Sequence, residues 1–219
     1  MDLSKRKDVV FIILAGFFIT NAIVAELIGG KLVQFFGFFT QSIGIILWPV
    51  VFLLTDLINE YYGKDGVRKL TFITVGLIIY TYILITIGIN INATSFSPIS
   101  DDVFQTVFGQ SQWIIVGSII AFLCSQLVDV YFFWVIRKLT GGKMIWLRAT
   151  ASTVISQLID TFIVQYIAFV LPGKWAFEEF ITNASIGYVF KLLVALALIP
   201  FIYLFHRIIS NYLLKNKNA

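Results

Sequence analysis

Asp56, Asn59 and Glu60 stand where lipid-facing residues are expected. They fall in TDLINEYYG (55–63), directly after IGIILWPVVFLL, a run without a single charge. Offsets of three and four place the three side chains on one face of a helix. A second set repeats itself. SQLVDVYFF and SQLIDTFIV both read Ser-Gln-x-x-Asp, at 125–129 and 156–160, so Gln126 shares a face with Asp129 and Gln157 with Asp160. A carboxylate offers only acceptors, whereas a carboxamide offers two donors and one acceptor. Together they suit the edge of a guanine-like base, where N1–H and a 2-amino group donate beside an O6 acceptor. Aromatic side chains, 16% of the chain, supply rings to stack on such a base.

The elements that must carry these groups follow from hydropathy. Of the 219 residues 59% are hydrophobic and only 13% charged, against about 25% charged in a soluble domain. Mean hydropathy is +0.92. Apolar runs of about 20 residues recur, enough to cross a bilayer core about 30 Å thick. Six spans are expected, at about 8–31, 43–63, 69–92, 112–136, 149–171 and 181–207. The chain reads as all-α, a six-helix polytopic bundle forming one transmembrane domain over residues 1–219, with the lipid bilayer as its surroundings. The N-terminal SKRK precedes an apolar stretch too long for a signal peptide, and no small-residue cleavage site follows it, so a retained first helix is expected. Thirteen Lys and Arg residues fall before span one, between spans two and three, between four and five, and after six. The opposite loops hold only Lys31 and Lys174. This asymmetry predicts cytoplasmic termini in a prokaryotic inner membrane and an external loop at 93–111, where DVFQTVFG reads as a short amphipathic helix. The net charge of +4 therefore reflects topology and points to no nucleic acid.

Five acids lie inside the spans: Glu26, Asp56, Glu60, Asp129 and Asp160. Each costs about 2.5–3.5 kcal/mol at a helix centre. With Asn21, Gln126, Gln157, Asn183 and Lys191 they point to a polar cavity rather than to scattered helix-to-helix bonds. Spans four and five are joined by a short loop and run antiparallel. Counting back from that loop sets Gln126 level with Asp160 and Asp129 level with Gln157, as a ligand clamp or as a Gln–Asp zipper between the helices. Lys191 is expected as counter-ion to one of the acids. Glu60 is four residues from Lys64 and is read either as a cavity group or as an interfacial acid paired with Lys or Arg.

Other chemistries lack their parts. One histidine, His206, and one cysteine, Cys124, cannot build a His/Cys metal site, and the lone cysteine cannot form an internal disulfide. Phosphate would call for converging Arg and Lys, yet only Lys191 is deep in a span. No hydrolase or protease motif is present, so no enzyme is expected, and no metal or cofactor.

WPVVFLLTDLINEYYGK (48–64) resembles the signature of the queuosine precursor transporter family, long labelled vitamin uptake transporters. The likeness continues in SQLVDVYFF, in WLRATASTVISQLIDTFI (146–163), in Tyr188, Lys191, Pro200 and Tyr203, and in Asn21 and Lys31. Trp48 stands before Pro49 where the pattern would as readily carry Phe. The resemblance implies a six-helix importer of 7-cyano- and 7-aminomethyl-7-deazaguanine for salvage into tRNA queuosine, working without an ATPase of its own. With the buried polar residues above it gives an expected substrate site drawn from Asn21, Trp48, Asp56, Asn59, Glu60, Gln126, Asp129, Gln157, Asp160 and Lys191. The alternative is a substrate-binding subunit of an energy-coupling-factor system for vitamins or nucleobases. A homodimer, an ATPase partner, and the choice between proton symport and facilitation stay open.

Overall fold

A computed structural model of the chain describes residues 3–35, 39–109, 112–141 and 143–214. Helices α1 (Leu3–Ile28), α2 (Trp48–Ile89), α3 (Asp101–Phe108), α4 (Gln112–Leu139), α5 (Ile145–Gln165), α6 (Phe177–Ala197) and α7 (Ile199–Leu214) make up most of it. Between α1 and α2 the strands β1 (Leu32–Phe35) and β2 (Phe39–Ser42) pair antiparallel, Leu32 opposite Ser42 and Phe35 opposite Phe39. The expected spans leave this stretch as a plain loop.

Among the described residues five helical stretches are long and apolar enough to cross a membrane. The one over 43–89 counts for two passes. Its 47 residues would reach about 70 Å if straight, more than twice a bilayer core. It turns back at Gly63, which holds φ 72° and ψ 178°. Only glycine adopts that backbone readily, because any Cβ would clash. Contacts with α1 show the reversal. Tyr62 donates to the carbonyl of Lys7 (2.6 Å), at the start of α1. Tyr82 donates to Glu26 (3.2 Å) near the end of α1, and Gly44, just ahead of α2, packs on the Ala25 carbonyl. Both ends of the α2 stretch therefore lie beside one end of α1, and its middle beside the other. The two arms of α2 match expected spans two and three. The basic segment 64–68, expected as a loop, is the first turn of the second arm.

The last expected span, 181–207, is two helices. The break falls at Leu198, two residues ahead of Pro200, whose ring cannot continue the preceding turn. Beyond it α7 reaches back to the chain's start, where Arg6 donates to the Tyr212 carbonyl (2.7 Å). The described ends of the chain thus share one end of the bundle, called here the terminal end. α3 lies at the far end, with Phe104 against Gly88, as a short helix over the residues expected to form one.

Burial is inverted relative to a soluble protein. Ile12 and Phe17 are 68% and 62% exposed, while Asp56 and Asp160 are 3% and 4% exposed. Apolar side chains face outward where lipid would solvate them, and polar ones face one another. Phe18, Ala22, Val51, Ile58 and Phe122 fill the contact between α1, α2 and α4. Thr55, Thr71, Thr74, Thr81 and Thr86 return their hydroxyls to carbonyls four residues back, so none is left unsatisfied in an apolar setting.

Candidate functional site

The twin Ser-Gln-x-x-Asp motifs do meet, through their serines. Ser125 of α4 donates to Asp160 of α5 (3.3 Å), and Ser156 of α5 donates to Asp129 of α4 (3.0 Å). Each pair steps four residues along its helix in opposite directions, as antiparallel neighbours must. The expected Gln126–Asp160 and Asp129–Gln157 pairing is corrected by one residue. The short hydroxyl preceding each glutamine holds the level, and the longer amides go elsewhere. Gln126 accepts from Thr55 (3.0 Å), and Gln157 makes no side-chain hydrogen bond among the described residues.

Asp160 has a second partner. Lys191 of α6 donates to its other oxygen at 2.7 Å, with both side chains 6% exposed. This is the counter-ion role expected of Lys191. The pair forms the floor of a cavity of about 210 Å³ toward the far end of the bundle. Glu26 of α1 closes one side, taking hydrogen bonds from Ser118 and Tyr82. Gln41 of β2 and Gln165 at the end of α5 bring in two carboxamides. Their amide nitrogens flank Gly187, where a Cβ would stand 3.2 and 3.3 Å from them. A side chain at 187 would push both heads aside. The Gln165 side-chain oxygen is buried and makes no hydrogen bond among the described residues. Trp48 lines the cavity and packs on Phe122 (5.4 Å between ring centroids), while Trp175 stacks on Phe169 (4.1 Å, 15° between planes).

Of the ten residues expected at the site, Trp48, Asp160 and Lys191 line this cavity. Asp56, Asn59, Gln126, Asp129 and Gln157 form a second polar cluster, wholly buried, toward the terminal end. Trp134 donates to the Asn59 oxygen (3.2 Å). The Asn59 and Gln126 amide nitrogens and one oxygen each of Asp56 and Asp129 make no hydrogen bond among the described residues. Glu60 stands apart from both groups. It pairs with Arg148 and, at 3.7 Å, with Arg137, which is the interfacial reading of that acid. Asn21 returns its amide to the Phe17 carbonyl of its own helix (2.8 Å) and faces neither cluster.

Glu26 is expected from the sequence only as a buried acid, and Gln41, Gln165 and Trp175 are cavity residues beyond those expected. Gln165 carried a signal, since it lies one turn beyond Thr161 and two beyond Gln157 on the same helix. Gln41 carried none, because only the hairpin brings it inward.

Residues 42–205 match the model of a transporter family described as "Putative vitamin uptake transporter". The chain belongs to that family. The match takes in Trp48, Asp160, Gln165 and Lys191, while Glu26 and Gln41 precede it. Relatives in the family carry a more specific name. A "Probable queuosine precursor transporter" of Bacillus subtilis (strain 168) is 32% identical over 184 residues, 83% of this chain and 78% of the relative. A protein of the same name from Haemophilus influenzae is 28% identical over 73% of this chain and 66% of its own length. The "Queuosine precursor transporter" of Escherichia coli (strain K12) is 26% identical over 84% and 78%. No solved structure matches significantly. Bacterial membership of the family and the long apolar helices make this a multi-pass protein of the prokaryotic inner membrane.

Proposed function

We propose that this chain imports queuosine precursors, and that a 7-deazaguanine base, cyano- or aminomethyl-substituted, sits in the far-end cavity. The observation that carries the reading is the convergence of Glu26, Asp160, Gln41 and Gln165 on one space walled by Trp48 and Trp175. Glu26 or Asp160 accepts from N1–H and the 2-amino group. A glutamine amide donates to O6. The indoles cover the ring. At about 210 Å³ the cavity is below the roughly 300–1,000 Å³ of drug-sized pockets, in keeping with a single base. The second cluster extends the polar column toward the terminal end, and its unmatched donors and acceptors would serve a base on its way through.

The test is equilibrium binding of 7-cyano-7-deazaguanine to purified protein. Glu26→Gln preserves shape but turns a pure acceptor into a mixed group. It is expected to weaken affinity about 10- to 150-fold, the worth of one charge-assisted hydrogen bond at roughly 1.5–3 kcal/mol. Unchanged affinity in a well-folded Glu26→Gln protein would move the base out of this cavity.

The sorting of basic residues supports a cytoplasmic terminal end, an orientation in which the cavity opens outward. Ser97 is partly exposed, in the loop that leads to α3. A Ser97→Cys protein is expected to react with an impermeant thiol reagent on intact cells. Reaction only after lysis would reverse the orientation.

A further inference from the structure

A cleft of about 450 Å³ lies at the terminal end, between the second arm of α2 and α4. Lys64 and Arg68, one turn apart on α2, face Lys138 of α4 across it. All three are exposed, and none makes an ion pair among the described residues. No acid lines the cleft. Asp65 lies between Lys64 and Arg68 in sequence but outside the wall, and Glu60 is engaged by Arg137 and Arg148. Below the cations the wall becomes apolar. Leu127, Tyr131 and Trp134 lead up α4 to Lys138, a strip of twelve residues or about 16 Å. Tyr131 is 64% exposed toward the surroundings of the bundle. Trp134 is held in place, its ring covered by the Arg137 guanidinium (4.7 Å) and its N–H donating to Asn59 (3.2 Å).

From this arrangement we infer that the cleft binds an anionic phospholipid. Its phosphate lies among Lys64, Arg68 and Lys138, and the upper part of an acyl chain lies along Leu127 and Tyr131. A free phosphate would use the cations and leave the apolar strip without purpose, whereas a lipid uses both. Tyr and Trp at headgroup level and a basic cluster at one membrane face are the features by which helical proteins hold acidic lipids. The inference is independent of what the far-end cavity carries.

The test uses full-length protein in neutral detergent, with phosphatidylglycerol, phosphatidylcholine or glycerol 1-phosphate added. Native mass spectrometry gives the bound lipid and thermal unfolding gives the shift. Phosphatidylglycerol is expected to bind and to raise the unfolding temperature, and the other two to do neither. A Lys64→Gln/Arg68→Gln/Lys138→Gln protein is expected to lose about 100-fold in affinity for phosphatidylglycerol, and Lys64→Gln or Lys138→Gln alone about fivefold, at roughly one charge interaction each. The single variants keep the test decisive if the triple variant fails to fold. A control with the same loss of charge elsewhere, Lys5→Gln/Lys69→Gln/Lys143→Gln, is expected to bind as the parent does. Equal binding of phosphatidylcholine, an equal loss in the control, or an equal shift with glycerol 1-phosphate would each overturn the assignment.

Discussion

A Lys191→Met protein is expected to be about 3–5 kcal/mol less stable than the parent and to have lost substrate binding, since removing one partner strands the other charge in a buried setting. Asp160 is 4% exposed, and its remaining donor is the neutral hydroxyl of Ser125. The second change Asp160→Asn removes the stranded charge, so the double variant is expected to recover most of the stability. It is not expected to recover binding, because the proposed site has then lost one of its two carboxylates. Reversible unfolding in detergent, read beside substrate binding for the two single variants and the double, separates the two roles. Parent-like stability of Lys191→Met would mean that the ion pair adds nothing to the fold.

Arg148→Met is expected to lose stability likewise, by about 3 kcal/mol, but with no change in substrate affinity. Arg148 is 2% exposed, pairs with Glu60 and rests against the Phe133 ring (5.3 Å). Neither Arg148 nor Glu60 lines the far-end cavity. Glu60 is itself partly exposed and keeps Arg137 nearby, so Glu60→Gln is expected to cost less than Arg148→Met. The same unfolding and binding measurements apply. A fall in affinity that matches the fall in stability would tie this ion cluster to substrate after all.

The helices were legible because apolar runs and loop charges are local properties. The pairing of α4 with α5 was legible too, from a motif written twice. Its register was off by one because a glutamine looks the better partner for an aspartate on paper, while the serine beside it is the group at the right height. The turn at Gly63 could be anticipated from the charges after it, but not that helix would resume at once. Glu60 was ambiguous because its nearest basic neighbour in sequence is Lys64, whereas its partners Arg137 and Arg148 come from α4 and α5. The cavity itself was hidden. It draws on α1, β2, α5 and α6, and a single acid such as Glu26 or a loop glutamine such as Gln41 has no spacing to betray it.

The exchanged serine–aspartate bonds have a consequence for how the protein can work. Sliding α4 along α5 by one residue would break both bonds at once and take the serine donors from two buried carboxylates. Helices indexed this way travel together, like two toothed bars in mesh. Any opening of the polar column toward the terminal end then has to come from displacement of their neighbours. The contact that α6 must release to separate from this meshed pair is the one between Lys191 and Asp160, which is also where the cargo would lie.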